Sequence, residues 1–193
     1  MKALLLNCSL EKGCQENETE NLINQAASVF QQEKIDVERI HLRDFQITFG
    51  ITNSLDGDDD WPFIFDRILE TDIILVATPI ALGEQSSIAT LIIERLQGYY
   101  DIKDKKGRQL FYNKVAGVLV ADHGDGGARS AAESILYSLS MLGFTIPPQP
   151  SAICLPDESP SDKILQTSTS LVNLAEILSF HPIPVLDDEP FEA

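Results

Sequence analysis

The chain has 193 residues, 30 of them Asp or Glu and 14 Lys or Arg, for a formal charge of −16 with histidine neutral. That balance excludes sequence-independent nucleic-acid binding, which needs clustered cations to release counterions, and it excludes docking on an anionic membrane surface. With 44% hydrophobic residues, one domain can bury a full core without disulfide or metal staples. Cys8, Cys14 and Cys154 form no C-x-x-C and no Cys/His pair at metal-ligand spacing. Met1-Lys2 runs directly into Ala3-Leu4-Leu5-Leu6, too short for a secretory core, and no apolar run approaches the roughly 20 residues of a membrane helix. A reducing, cytoplasmic setting is the expectation.

Short apolar runs alternate with longer amphipathic ones. Residues 2–7 read as a strand with helices on both faces. Over 17–34 the positions Leu22, Ile23, Ala26, Ala27, Val29 and Phe30 keep helical spacing. A second strand spans 36–42, and an irregular stretch then ends in the acidic segment 56–60. Asp60 is the expected N-cap of a helix over 61–70, with Pro62 in its first turn. Residues 72–77, the most hydrophobic segment, form the third strand, which Pro79 is expected to stop. Ser86 or Ser87 opens a third helix with Ile88, Leu91, Ile92 and Leu96 as its core stripe. The connection 101–113 leads to a fourth strand over 114–121 and a fourth helix over 128–142, with Gly143 at its left-handed cap. A fifth strand falls within 145–155, among Pro147, Pro148 and Pro150, and a last helix covers 161–179. The domain ends near residue 180, and 181–193 form an acidic tail that is expected to be mobile.

Five strands alternating with five helices imply a three-layer α/β domain, a doubly wound parallel sheet of order 2-1-3-4-5. Ligands of such sheets bind beyond the carboxyl ends of the strands, at the switch point. Three loops follow from that rule: 8–16, 78–87 and 122–128. The first offers hydroxyls and free helix N–H groups, the physical recipe for an anion site. It is neither G-x-G-x-x-G nor a Walker loop. A plain capping box built on Asn17 and Glu20 is the competing reading. The second loop reads as an ordinary βα turn, or as a wall passing close to a flat ligand with Gly83 as its bend. The third, Asp122-His123-Gly124-Asp125-Gly126-Gly127, is either a flexible turn or a backbone surface against a planar ring.

An ordered set of segments then carries a resemblance: Asn7-Cys8-Ser9-Leu10, Asp60-Trp61-Pro62, Ala77-Thr78-Pro79-Ile80 with Leu82-Gly83 and Ser86-Ser87, Tyr112-Asn113-Lys114-Val115-Ala116-Gly117, and Gly143-Phe144-Thr145-Ile146-Pro147. Together, over about residues 1–180, they resemble the NADPH-dependent FMN reductase family of flavodoxin-like proteins. The resemblance implies a flavodoxin-like fold, non-covalent FMN, NAD(P)H as electron donor, a small-molecule or flavin acceptor, and a homodimer or homotetramer. It implies that Ser9, Asn17 and Thr19 hold the FMN phosphate. Thr78, Pro79, Ile80, Ala81 and Gly83 would line the ring on one side, with His123, Gly124, Asp125 and Gly126 on the other. No residue need act as acid or base, since the chemistry belongs to the flavin.

Four departures set a rival beside this reading. Leu10-Glu11 stands where the family commonly has a cation, and Asn17-Glu18-Thr19 replaces Ser-Asn-Thr. Ala81 takes the place of an aromatic residue, and Gln85, preceded by Glu84, that of a proline. The rival is a degenerate flavodoxin-like domain that has lost FMN and serves as a binding or scaffold protein. Outside the loops, Trp61 is expected to pack, and Tyr99 and Tyr100 suit a subunit interface. His41 and His181 have no partner close in sequence, and the Asp58–Asp60 run lacks EF-hand spacing.

Overall fold

Consecutive apolar residues in β1 (Lys2–Asn7) demand cover on two faces, and two separate cores provide it. The computed structural model describes residues 1–11, 17–51, 57–122, 124, 126–155 and 161–184. Within them β1 is followed by α1 (Glu18–Gln32), β2 (Asp36–His41), α2 (Trp61–Glu70), β3 (Ile73–Ala81), the two-residue β4 (Glu84–Gln85) and α3 (Ser87–Gln97). After these come β5 (Val115–Ala121), α4 (Ala128–Met141), β6 (Ser151–Cys154) and α5 (Ser161–Phe180). The parallel strands lie in the order β2-β1-β3-β5-β6, and β4 pairs only with β3, antiparallel. This is the expected 2-1-3-4-5 flavodoxin-like sheet with one short hairpin strand added.

Pleat alternation divides the cores. Leu4 and Leu6 pack with Ile64, Ile92 and Ile135 of α2, α3 and α4. Ala3 and Leu5 pack on the other face with Ile23, Phe30 and Leu171 of α1 and α5. Trp61 is fully buried in the first core. Lys114, partly buried, closes the end of α2 by donating from Nζ to the carbonyls of Leu69 and Thr71. Gly143 leaves α4 at φ 103°, and the Phe144 N–H bonds the Leu139 carbonyl at 3.1 Å, closing the helix as the sequence suggests.

Several expectations need correction. Pro79 does not stop the third strand: β3 continues to Ala81, with Pro79 opposite Ala121 of β5. The register with β1 ends at Asn7 opposite Ala77, so Pro79 lies beyond the reach of that neighbour and its missing N–H breaks no ladder there. Asp60 occupies the N-cap position of α2 without capping it; Asp59 Oδ1 takes the Trp61 N–H at 3.2 Å instead, and Asp60 accepts from Gln46 N. Tyr99 is a core residue, 7% exposed and stacked on Phe65 with ring centroids 3.5 Å apart, so only Tyr100 remains on the surface. His41 Nδ1 lies 3.4 Å from Asp44 Oδ2, a contact that is an ion pair only when the imidazole is protonated. In the expected tail, Ile183 and Pro184 are held by Asn113 and Tyr112; its remaining residues lie outside those described.

Candidate functional site

The site is assembled from the ends of β1, β3 and β5. Asn7, the one polar side chain that β1 buries, donates from Nδ2 to Glu20 Oε2 at 2.7 Å and accepts the Ser9 N–H at 2.8 Å. This fixes the first residues of the loop against the first turn of α1. Asn17 caps α1 by accepting the Glu20 N–H at 2.8 Å. Its Nδ2 points back into the loop, 3.2 Å from Ser9 Oγ and 3.2 Å from Glu11 Oε2. Ser9 Oγ also accepts the Glu11 N–H at 3.3 Å, so its hydroxyl proton is left to donate. Ser9 and Asn17 are thus brought together, while Thr19 is 2% exposed in the first turn of the helix. Residues 12–16, including Cys14, lie outside those described.

The second segment is a hairpin rather than an open loop. Leu82 and Gly83, at φ 54° and 81°, form its two-residue turn. Two positive φ values in succession define the I′ geometry that suits strand twist. Strand alternation then sorts the expected ring contacts. Thr78 and Ile80 turn inward, at 0% and 1% exposure, whereas Ala81 faces solvent and Pro79 is half-buried. Thr78 and Ile80 are therefore supports rather than walls. The Thr78 hydroxyl accepts the Ser86 N–H at 3.1 Å and fixes the foot of the hairpin. Ser86 caps α3 and reaches across to the Cys8 carbonyl at 2.7 Å, coupling the first two segments.

In the third segment, Asp122 accepts the Gly124 N–H at 3.0 Å. Gly124 and Gly126, at φ 88° and 77°, border open space where a Cβ would meet nothing within 4 Å. Gly127 is the opposite: a Cβ there would lie 1.9 Å from the Gly83 carbonyl oxygen. The second and third segments touch through these two glycines. His123 and Asp125 lie outside the described residues.

Cys8, with no exposed surface, has its thiol pKa pushed far up by burial and is no nucleophile. Among the described residues, no group of three His, Cys, Asp or Glu is placed to hold a metal ion, and no helix is long and apolar enough to cross a membrane. Sequence reasoning missed three links that build the site: Asn7 to Glu20, Ser86 to Cys8, and Asn17 to Glu11. The first had a signal, a lone Asn ending an apolar strand. The others join distant or solvent-facing positions that no spacing rule connects.

Comparison with known proteins gives a family match and several relatives. The pattern of the NADPH-dependent FMN reductase family matches residues 1–154. The 8-demethyl-8-aminoriboflavin-5'-phosphate synthase of Streptomyces davaonensis is 32% identical over 164 residues, 80% of this chain and 63% of that protein. A Mycobacterium bovis protein named divalent metal cation transporter MntH is 28% identical over 169 residues, 86% of this chain and 25% of that protein. The chain thus spans under two thirds of one relative and a quarter of the other. Among solved structures, RosB with bound 8-demethyl-8-formylriboflavin-5'-phosphate superposes at a TM-score of 0.85 with 28% identity, covering 95% of this chain and 82% of RosB. An NADH:FMN oxidoreductase, EmoB in its apo form, gives a TM-score of 0.63 at 17% identity, covering 98% of this chain and 91% of EmoB, a likeness of fold.

Proposed function

Because this chain belongs to the NADPH-dependent FMN reductase family, we propose that it binds FMN at the carboxyl ends of β1, β3 and β5 and acts as an NAD(P)H-dependent oxidoreductase. The observation that carries this reading is the meeting of Gly83 with Gly127, on a hairpin that Ser86 ties to Cys8 at the start of the loop holding the Ser9–Asn17 pair. It sets an open, glycine-lined surface on segments coupled to the loop that carries the Ser9 hydroxyl and the Asn17 amide, which fits a planar ring bearing a phosphate ester. Ser9 and Asn17 hold the phosphate, with the start of α1 adding its dipole. Pro79, Ala81 and Gly83 face the ring from one side, and the backbone of Gly124 and Gly126 from the other. When bound, FMN would supply the two-electron chemistry between NAD(P)H and a small-molecule or flavin acceptor, so this chain's residues need only bind and orient it. The reading includes a homodimer or homotetramer, residence in the cytoplasm, and a flavin-binding domain over 1–180 with the acidic 181–193 outside it. Transport is not carried over from the M. bovis relative, of which this chain matches a quarter.

The test is to add FMN and then NADPH without oxygen. A rise in melting temperature with FMN, followed by bleaching of the flavin, supports the reading. No thermal response to FMN supports the degenerate scaffold instead.

A second reading is favoured by the RosB superposition, at a TM-score of 0.85 against 0.63 for EmoB. Here a flavin phosphate is the substrate, taken up, altered and released. Mass spectrometry of the flavin after incubation separates the two, since a cofactor returns unchanged.

A further inference from the structure

We propose that Glu11 sets the ligand specificity of the first loop, penalising a terminal phosphate so that FMN binds as an exchangeable ligand little preferred over a flavin without phosphate. This rests on the flavin reading above. The two hydrogens of Asn17 Nδ2 are directed to Ser9 Oγ and Glu11 Oε2, each 3.2 Å away. The carboxylate therefore engages the donor that a phosphate would need. Its backbone is tied into the same loop by the bond from Glu11 N to Ser9 Oγ. Glu20, in the first turn of α1, adds a second carboxylate close by, on Asn7. A phosphate arriving here either stays beside Glu11 and is repelled, or displaces it and breaks its bond to Asn17. A flavin ending in a hydroxyl meets neither cost.

Riboflavin and FMN differ only in that phosphate, and Glu11→Gln removes the charge while keeping an oxygen for Asn17 to bond. Dissociation constants of both flavins are measured by flavin fluorescence on the full chain, for the unaltered protein, E11Q and E33Q. Glu33 lies 16 residues along from Asn17 at the far end of α1, about 24 Å away at 1.5 Å per residue, and so controls for net charge. In E11Q the affinity for FMN is expected to rise about tenfold while that for riboflavin stays within about twofold; in E33Q the ratio of the two stays as it was. Glu11 is exposed, and an unchanged melting temperature verifies that the variant folds. An unchanged ratio in E11Q, an equal rise for both flavins, or a loss of FMN affinity overturns the inference alone. Failure of either flavin to bind any variant overturns the flavin reading and this inference with it.

Discussion

The Ser86 hydroxyl donates to the Cys8 carbonyl at 2.7 Å while accepting the Ala89 N–H at 3.1 Å, so one oxygen both caps α3 and ties the end of β1 to the hairpin that follows β3. Both interactions are buried. Ser86→Ala removes the cap and strands a carbonyl, and is expected to cost about 2 kcal/mol. Urea unfolding reads this as a lower midpoint at unchanged slope. An unchanged midpoint contradicts the coupling.

Gly127 permits the hairpin and the third segment to meet. Alanine there brings its Cβ to 1.9 Å from the Gly83 oxygen at a φ of 83°. The two segments must separate, at an expected cost of about 1–3 kcal/mol. Gly126→Ala has a similar φ of 77° but open space around it, so it suffers only the backbone strain. The comparison is made by thermal melts of the two variants together with flavin binding. Equal effects on both readouts contradict a role for the close approach.

Asp59 and Arg95 form a buried clasp. Arg95 Nη2 donates to Asp59 Oδ2 at 2.9 Å and Nη1 to the Thr48 carbonyl at 2.9 Å, with the side chains 3% and 0% exposed. Asp59 Oδ1 takes the N–H groups of Thr48 and Trp61. Asp59→Ala leaves a buried charge without its partner and is expected to destabilise by about 3–5 kcal/mol. Pairing it with Arg95→Met recovers part of that loss, and chemical denaturation of the double-mutant cycle measures how much. A double variant less stable than the sum of the singles contradicts the account.

Cys8 gives a pH signature. Burial raises its folded pKa well above the ordinary value of 9.0. Below pH 9.0 the thiol is protonated in both states and contributes no pH dependence. Above it the unfolded thiol ionises while the folded one does not, so the unfolded state binds fewer protons and stability falls with rising pH. The contribution is about 1.4 kcal/mol per pH unit. Cys8→Ala is expected to flatten that part of the decline, read from unfolding free energies on either side of pH 9.0. Equal slopes in both proteins contradict it.

The parallel sheet was legible because apolar runs and amphipathic periods alternate cleanly, and Asn17, Ser86 and Gly143 mark helix ends through local capping chemistry. Pro79 misled because its effect depends on neighbours: a missing N–H ends a strand only where a partner strand would have received it. Asp60 was read as the cap because it directly precedes the helix, but the buried Arg95 holds Asp59 where it takes the Trp61 N–H, a contact 36 residues away that no local pattern carries. For the site, the three segments followed from topology alone. Which side chains face a ligand did not, because Thr78 and Ile80 turn inward only if the strand continues past Pro79.

The central claim, a flavin site at the ends of β1, β3 and β5, is tested most directly by titrating the full chain into FMN and following flavin fluorescence. The account predicts a saturable change at one FMN per chain, lost in Gly127→Ala. No change in fluorescence up to millimolar protein, with no rise in melting temperature on adding FMN, would contradict it.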